Sequence, residues 1–205
     1  MIGLIFATLN EAKPFLEWSQ SIRIDETPFV VYQAPSKPNL FVTISGMGKV
    51  AAAIACQFQI KELKVKEIVN AGACGALQSG ANFAPGELFC IASAAEGDLS
   101  IPDDVPRPII SDGKIDWDLP AGRLITCDRP VFDDEQREIL STGGDLVDME
   151  GAAIARVAAL HSVPWSMIKG ITDSAGSADR NVLKGNLTVV SEKICRVLWN
   201  HLRDL

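Results

Sequence analysis

Two carboxylates sit in settings that could do chemistry. Glu150 stands in Asp148-Met149-Glu150-Gly151-Ala152-Ala153, where two acids end a short apolar run and a small-residue helix pattern follows. A carboxylate there can accept two hydrogen bonds from a vicinal diol such as a sugar offers. The alternative is an acid placed for the helix macrodipole. Asp173 closes Lys169-Gly170-Ile171-Thr172-Asp173-Ser174-Ala175 with small residues on both sides. Kept protonated by a poorly solvated site, it can hand a proton to a leaving heterocycle. The alternative is a turn-forming Asx residue.

Two glycine-bearing segments complete the set. Ser45-Gly46-Met47-Gly48-Lys49 runs into the helix pattern Val50-Ala51-Ala52-Ala53. Its glycines let the backbone approach a ligand and leave helix amides free for an anion or hydroxyl, or they serve the turn alone. It lacks the spacing of a P-loop. Asn70-Ala71-Gly72-Ala73-Cys74-Gly75-Ala76 follows Ile68-Val69. It either brings bare backbone amides against a substrate or makes a tight turn with close helix packing.

These segments need a scaffold that puts strand ends side by side. Strand-like apolar runs cover residues 2–8, 29–33, 40–44, 67–70, 87–92, 122–126, 146–147 and 165–171. Several do not alternate, as expected of strands covered on both faces. Helical patterns lie between them at 49–63, 134–140, 151–160 and 184–202, the last with Leu187, Val190, Ile194, Val197, Leu198 and His201 on one face. Asp133 with Gln136 forms a capping-box pattern before the second of these. Alternation of this kind predicts an α/β fold of three layers, α/β/α, around a central mixed, mostly parallel sheet with the site at strand ends. Residues 96–120, rich in proline and acids, break the pattern. They form either a flap near the site or an ordered surface excursion.

Composition narrows the function classes. The 205 residues, 47% hydrophobic and 22% charged, suit one globular domain spanning 1–205. A net charge of -7 without any basic run argues against nucleic acid as a partner. No stretch is apolar enough to span a membrane, and the N-terminal run lacks the basic flank of a signal peptide. The five cysteines have no C-x-x-C spacing and read as reduced thiols of a cytoplasmic protein. No metal-ligand spacing is present and no cofactor is called for. His161 and His201 fall in helical patterns, and Cys74 and Cys127 lack a histidine partner. Phe132 is a candidate to stack on a base or to staple the helix that follows.

In order and spacing the four segments resemble the nucleoside phosphorylase and nucleosidase superfamily, and among its members 5′-methylthioadenosine/S-adenosylhomocysteine nucleosidases and futalosine hydrolases. The resemblance runs from Ile2-Gly3-Leu4-Ile5 and Glu11 through Ser45 to Ala53 and Gly72 to Gly75, then Val147-Asp148-Met149-Glu150 and Ile171-Thr172-Asp173. Its specific part is Met149-Glu150 with Thr172-Asp173 downstream. It implies hydrolysis of the N-glycosidic bond of a 5′-modified purine nucleoside through an oxocarbenium-like transition state. Asp173 would protonate the base, and Glu11 would deprotonate the attacking water on the opposite face, so the two acids must titrate apart. Glu150 would hold the ribose hydroxyls, with Met149 and Met47 lining the sugar and Ala73, Gly75 and Thr172 completing the binding surface.

The resemblance also implies a homo-oligomer, commonly a dimer. The chain departs from the nucleosidases at 94–122, at Ala73, where serine is usual, and at Lys169, where arginine is common. The arginine and serine of the phosphorylases are missing from Asn70-Ala71-Gly72-Ala73, which favours water as the nucleophile. Phosphorolysis, including the hopanoid-associated kind, and a catalytically silent nucleoside-binding protein are the rival readings.

Overall fold

The computed structural model describes residues 1–99, 107–174 and 180–203. Its strands are β1 (Ile2–Phe6), β2 (Ile22–Asp25), β3 (Val30–Gln33), β4 (Leu40–Ile44), β5 (Glu67–Ala76), β6 (Leu88–Glu96), β7 (Ile109–Ile110), β8 (Ala121–Thr126), β9 (Leu146–Asp148) and β10 (Trp165–Ser174). Its helices are α1 (Leu9–Trp18), α2 (Lys49–Lys61), α3 (Asp134–Ser141), α4 (Gly151–Leu160) and α5 (Arg180–Leu202).

The expected α/β fold is present, with helices on both faces of a mixed sheet. One apolar cluster joins Ala52, Cys56, Ile154 and Ala155 of α2 and α4 to Ile68, Leu124 and Met167 of the sheet. A second joins Phe15 and Leu16 of α1 and Ile194 and Leu198 of α5 to Leu4, Val69 and Ile168. β1 runs parallel between β4 and β5, and β5 runs parallel to β10. These central strands are covered on both faces, which is why their apolar residues run on without alternating.

The sheet also closes on itself, a feature that periodicity does not reveal. β10 pairs with β5 on one side and with β6 on the other, and β6 leads through β8 and β9 back to β5. A ring of five strands results, with β6, β8 and β9 running against β5 and β10. Closure brings the ends of β5, β9 and β10 together at Gly75, which lies in register with both Asp173 and Val147.

Four local expectations need correction. The first strand ends at Phe6, not Thr8, because Thr8 caps an unexpected helix, α1, in a reciprocal box with Glu11. The run from Asn70 to Ala76 is no turn: it extends β5, its small residues letting neighbouring strands and side chains come close. Gly72 is the clearest case, since a Cβ there would sit 2.8 Å from Glu11 Oε1. An exposed edge strand, β2, pairs with β3 where no strand was expected. Asp133 caps α3 through the Gln136 amide, but the return bond of a full box is not among its contacts.

The described parts of the excursion lie in two places, the first being Glu96 and Asp98 against Lys49 of α2. Residues 107–120 pack at the opposite end of β10 from Asp173: Ser111 Oγ donates to the Trp165 carbonyl, and Asp112 accepts from the Trp165 amide. Trp117 is buried there against His201. This part is therefore an ordered surface excursion and not a flap over the strand ends that carry the carboxylates. Residues 100–106 lie outside the described residues. Among the described residues no helix is long and apolar enough to cross a membrane.

Candidate active site

Where β1, β5, β9 and β10 end, the sheet leaves a cavity of about 360 Å³. Glu11, Glu150 and Asp173 all line it. So do Met47 and Met149, and the backbone-rich wall of Ala73, Gly75 and Thr172. Every site residue expected from the sequence thus meets the others in one place, from segments as much as 162 positions apart (173 minus 11).

Glu11 is positioned by the start of α1. Its Oε2 accepts from the Thr8 amide at 2.9 Å and the Thr8 hydroxyl at 2.7 Å. Its Oε1 accepts from the Ala73 amide at 3.0 Å, across the strand pair β1–β5. Both oxygens are therefore fixed in place by donors, while the carboxylate remains part of the cavity wall. Thr8-x-x-Glu11 matches the capping-box spacing, a signal that would have found both α1 and Thr8.

At the other side, the two acids around Met149 divide their work. Asp148 takes the structural role: its Oδ2 accepts from the Gly151 amide at 2.8 Å at the start of α4, and its Oδ1 accepts from the Thr126 hydroxyl at 2.6 Å. Glu150 does not cap α4 with its side chain. Its Oε1 accepts from the Gly48 amide at 2.8 Å, which ties it to the loop before α2. Gly46 and Gly48 have φ of +82° and +94°, in the left-handed region, so this loop needs glycine for its own backbone.

Lys169 explains how so many acids share one interior. Its side chain is 1% exposed and its Nζ lies 2.7 Å from Asp148 Oδ2. Burial opposes its charge, but Asp148, Glu150 and Glu11 outweigh that and hold its pKa above the ordinary lysine value. Burial and the Asp148 carboxylate in turn push Glu150 up to about 7, against the pull of Lys169 and the Gly48 amide. This lysine, at a position where the nucleosidases commonly have arginine, pairs with Asp148. Asp173 is held by its neighbour, the Thr172 hydroxyl donating to Oδ1 at 2.7 Å, and burial raises its pKa despite that bond.

The remaining candidates separate cleanly. His161 bonds to Gln57, and His201 packs against Trp117. Neither lines the cavity. Phe132 does line it and is exposed. Burial pushes the Cys74 thiol well above its ordinary range and that of Cys127 up to about 11, which leaves neither a ready thiolate. Among the described residues no group of three or more His, Cys, Asp or Glu is arranged to hold a metal. Arg129 and Leu187 also line the cavity, and no spacing in the sequence marks Arg129.

A family model for the phosphorylase superfamily matches residues 1–203. The chain belongs to that superfamily. A 5′-methylthioadenosine/S-adenosylhomocysteine nucleosidase of Listeria innocua is 30% identical, covering 85% of this chain and 86% of the relative. One of Buchnera aphidicola is 24% identical over 100% of this chain and 93% of its own length. In fold, a futalosine hydrolase mutant of Helicobacter pylori superposes with a TM-score of 0.89 at 20% identity, covering 100% of this chain and 99% of that one. The 5′-methylthioadenosine/S-adenosylhomocysteine nucleosidase of the same organism, complexed with a pyrrolidine-based ligand, gives a TM-score of 0.88 at 21% identity.

Two outcomes are expected from the charge balance. Lys169→Met strands the Asp148 carboxylate in the interior and should cost about 3–5 kcal/mol in urea unfolding; a cost below about 1 kcal/mol would show that the pair is not what holds Asp148. The second concerns pH. Glu150 titrates near 7 when folded, against an ordinary value of 4.5. Between those values the native protein keeps a proton that the unfolded chain has lost, so stability must fall as pH rises through that window. Urea midpoints at pH 5 and pH 8 should therefore drop more for the parent than for Glu150→Gln. Parallel curves would show that Glu150 titrates elsewhere.

Proposed function

We propose that the protein hydrolyses the N-glycosidic bond of a 5′-modified purine nucleoside, of the methylthioadenosine, adenosylhomocysteine or futalosine type, releasing the free base and a ribose derivative. The observation that carries this reading is one cavity lined by Asp173, Glu150 and Glu11 together, with the bare wall of Ala73 and Gly75 between strand ends. Membership of the superfamily and nucleosidases among its relatives support it.

In this mechanism Asp173, whose pKa burial raises, acts as the acid and gives a proton to the imidazole-ring nitrogen of the purine as the bond to the sugar lengthens. The electron pair of the glycosidic bond leaves with the base, which departs neutral. The sugar becomes oxocarbenium-like, and water attacks its anomeric carbon from the opposite face. Glu11 orients that water and takes its proton, its own position fixed by Thr8 and by the Ala73 amide. Glu150 accepts the ribose hydroxyls, helped by the Gly48 amide that holds one of its oxygens. Acid and base on opposite sides, with room for water, is the arrangement of an inverting glycoside cleavage.

Water is favoured over phosphate because Thr8, Glu11 and the Ala73 to Gly75 wall, where the nucleophile would stand, carry no cation; the described cation of the lining, Arg129, belongs to the segment after β8. The Ala73 amide and the Lys169 ammonium are already engaged by Glu11 and Asp148. A silent binder would need neither an acid nor a base.

We further propose that one domain over 1–205 carries the activity, in the cytoplasm, as a homodimer. All five thiols are free, which suits a reducing compartment. Val50 and Ile54, on successive turns of α2, are 72% and 53% exposed beside the exposed Met47. Covering such side chains contributes roughly 1.5–3 kcal/mol each, the kind of gain that drives self-association.

The protein incubated with methylthioadenosine, adenosylhomocysteine, futalosine and inosine should release base from at least one of them without phosphate, as followed by chromatography. Asp173→Asn should lower kcat by about 10²–10⁴ and change KM less. A strict phosphate requirement, or an unchanged kcat in that variant, overturns the assignment. Sedimentation should give a dimer that Val50→Glu with Ile54→Glu converts to monomer. A monomeric parent protein at micromolar concentration removes the dimer proposal.

A further inference from the structure

Among the described residues the cavity lining contains four acids, Glu11, Asp148, Glu150 and Asp173, and a single cation, Arg129. Among the described residues no carboxylate lies within ion-pair distance of that guanidinium, although acids stand around it in the sequence. Each of those acids is engaged elsewhere. Asp128 accepts from the Lys49 amide at 3.1 Å and faces the Lys49 ammonium at 3.6 Å. Asp133 accepts from the Gln136 amide at 2.7 Å as the cap of α3. Asp134 pairs with Arg137 at 3.2 Å.

The segment carrying Arg129 is also held in place. Asp128 on one side is tied to α2 through Lys49, whose ammonium reaches Asp98 at 2.6 Å and Glu96 at 3.3 Å as well. On the other side Pro130 restricts the backbone and Val131 is buried against Leu77 and Ile125. An anchored, exposed guanidinium that lines a cavity and has no ion-pair partner among the described residues is a donor awaiting an acceptor.

Its chemistry defines that acceptor. A guanidinium has five N–H donors and no acceptor, in a planar fork that matches a carboxylate or carbonyl oxygen and repels another donor. A nucleoside can supply such an oxygen in two places: the 6-position of the purine, as an oxo group where adenine has an amine, or a carboxylate on the 5′ substituent. The site's other acids do not prevent this, since Asp148 is paired with Lys169 and burial favours the neutral form of Asp173.

We propose that Arg129 is a specificity-determining residue, which selects nucleosides bearing an acceptor oxygen, on the base or on the 5′ group, over those with only a 6-amino group and a neutral 5′ thioether. This rests on the nucleosidase reading above and sharpens its substrate class.

Four nucleosides separate the sources: methylthioadenosine has neither oxygen, adenosylhomocysteine only the carboxylate, inosine only the 6-oxo group, and futalosine both. In kcat/KM, Arg129→Leu should lose at least about tenfold more on the substrates bearing the decisive oxygen than on methylthioadenosine, with Arg129→Lys intermediate. A loss shared by adenosylhomocysteine and futalosine assigns the 5′ carboxylate; one shared by inosine and futalosine assigns the base. An equal loss on all four, or none, overturns the proposal while leaving the nucleosidase reading standing. Should the parent release no base from any of the four, that reading fails, and calorimetric binding of the same compounds decides for Arg129 alone. A tenfold difference in Kd pattern between parent and variant upholds it, and identical patterns remove it.

Discussion

The site depends on one buried ammonium. Lys169 stands in the interior with Asp148 at 2.7 Å, and the carboxylates of Glu150 and Glu11 lie close enough to raise its pKa. Carboxylates brought together in a poorly solvated space repel one another and lose the hydration that stabilises their charge. A single cation on β10 pairs with one of them, Asp148, and pulls against the upward shift of another, Glu150. It does so from behind the cavity wall, so the acids keep the face that a ligand can reach. Every other feature of the site can be read as a way of holding these charges in that relation.

Backbone amides do much of that holding. Glu11 accepts from the amides of Thr8 and Ala73, Asp148 from that of Gly151, and Glu150 from that of Gly48. Amides belong to strands and helix starts, so the carboxylates inherit the rigidity of those elements. The small residues of β5 are the condition for this. A side chain at position 72 would meet Glu11 Oε1 at 2.8 Å and Lys169 Nζ at 3.8 Å. The strand gives up apolar contact there so that the charged groups can approach it.

Closure of the sheet supplies the rest. Because β10 pairs with both β5 and β6, the strand ends converge and do not fan out along a row. Gly75 is in register with Asp173 and with Val147, so the proposed proton donor and the Met149-Glu150 segment flank the same backbone. The charged clamp of Lys49 with Glu96, Asp98 and Asp128 then fixes the loop that carries Arg129. Each contact joins segments far apart in the chain, which makes the cavity a property of the whole fold.

That division matches what could be read from the residues alone. Uninterrupted apolar runs such as Ile68-Val69 marked the covered strands, since burial on both faces leaves no room for alternation. The types and neighbours of Glu150 and Asp173 likewise suggested their chemistry, because small residues beside an acid leave space for a ligand. Local spacing was silent or ambiguous wherever the decisive partner was distant. What Asp148 does beside Glu150 was not legible until α4 and Lys169 supplied its partners. Asn70 to Ala76 read as a turn because glycine and alanine serve turns and close strand packing equally well; only its pairing with β10 and β9 decided. Which carboxylate is paired, which is exposed to a ligand and which cation stays free are set by distances across the fold, and a linear sequence does not contain distances.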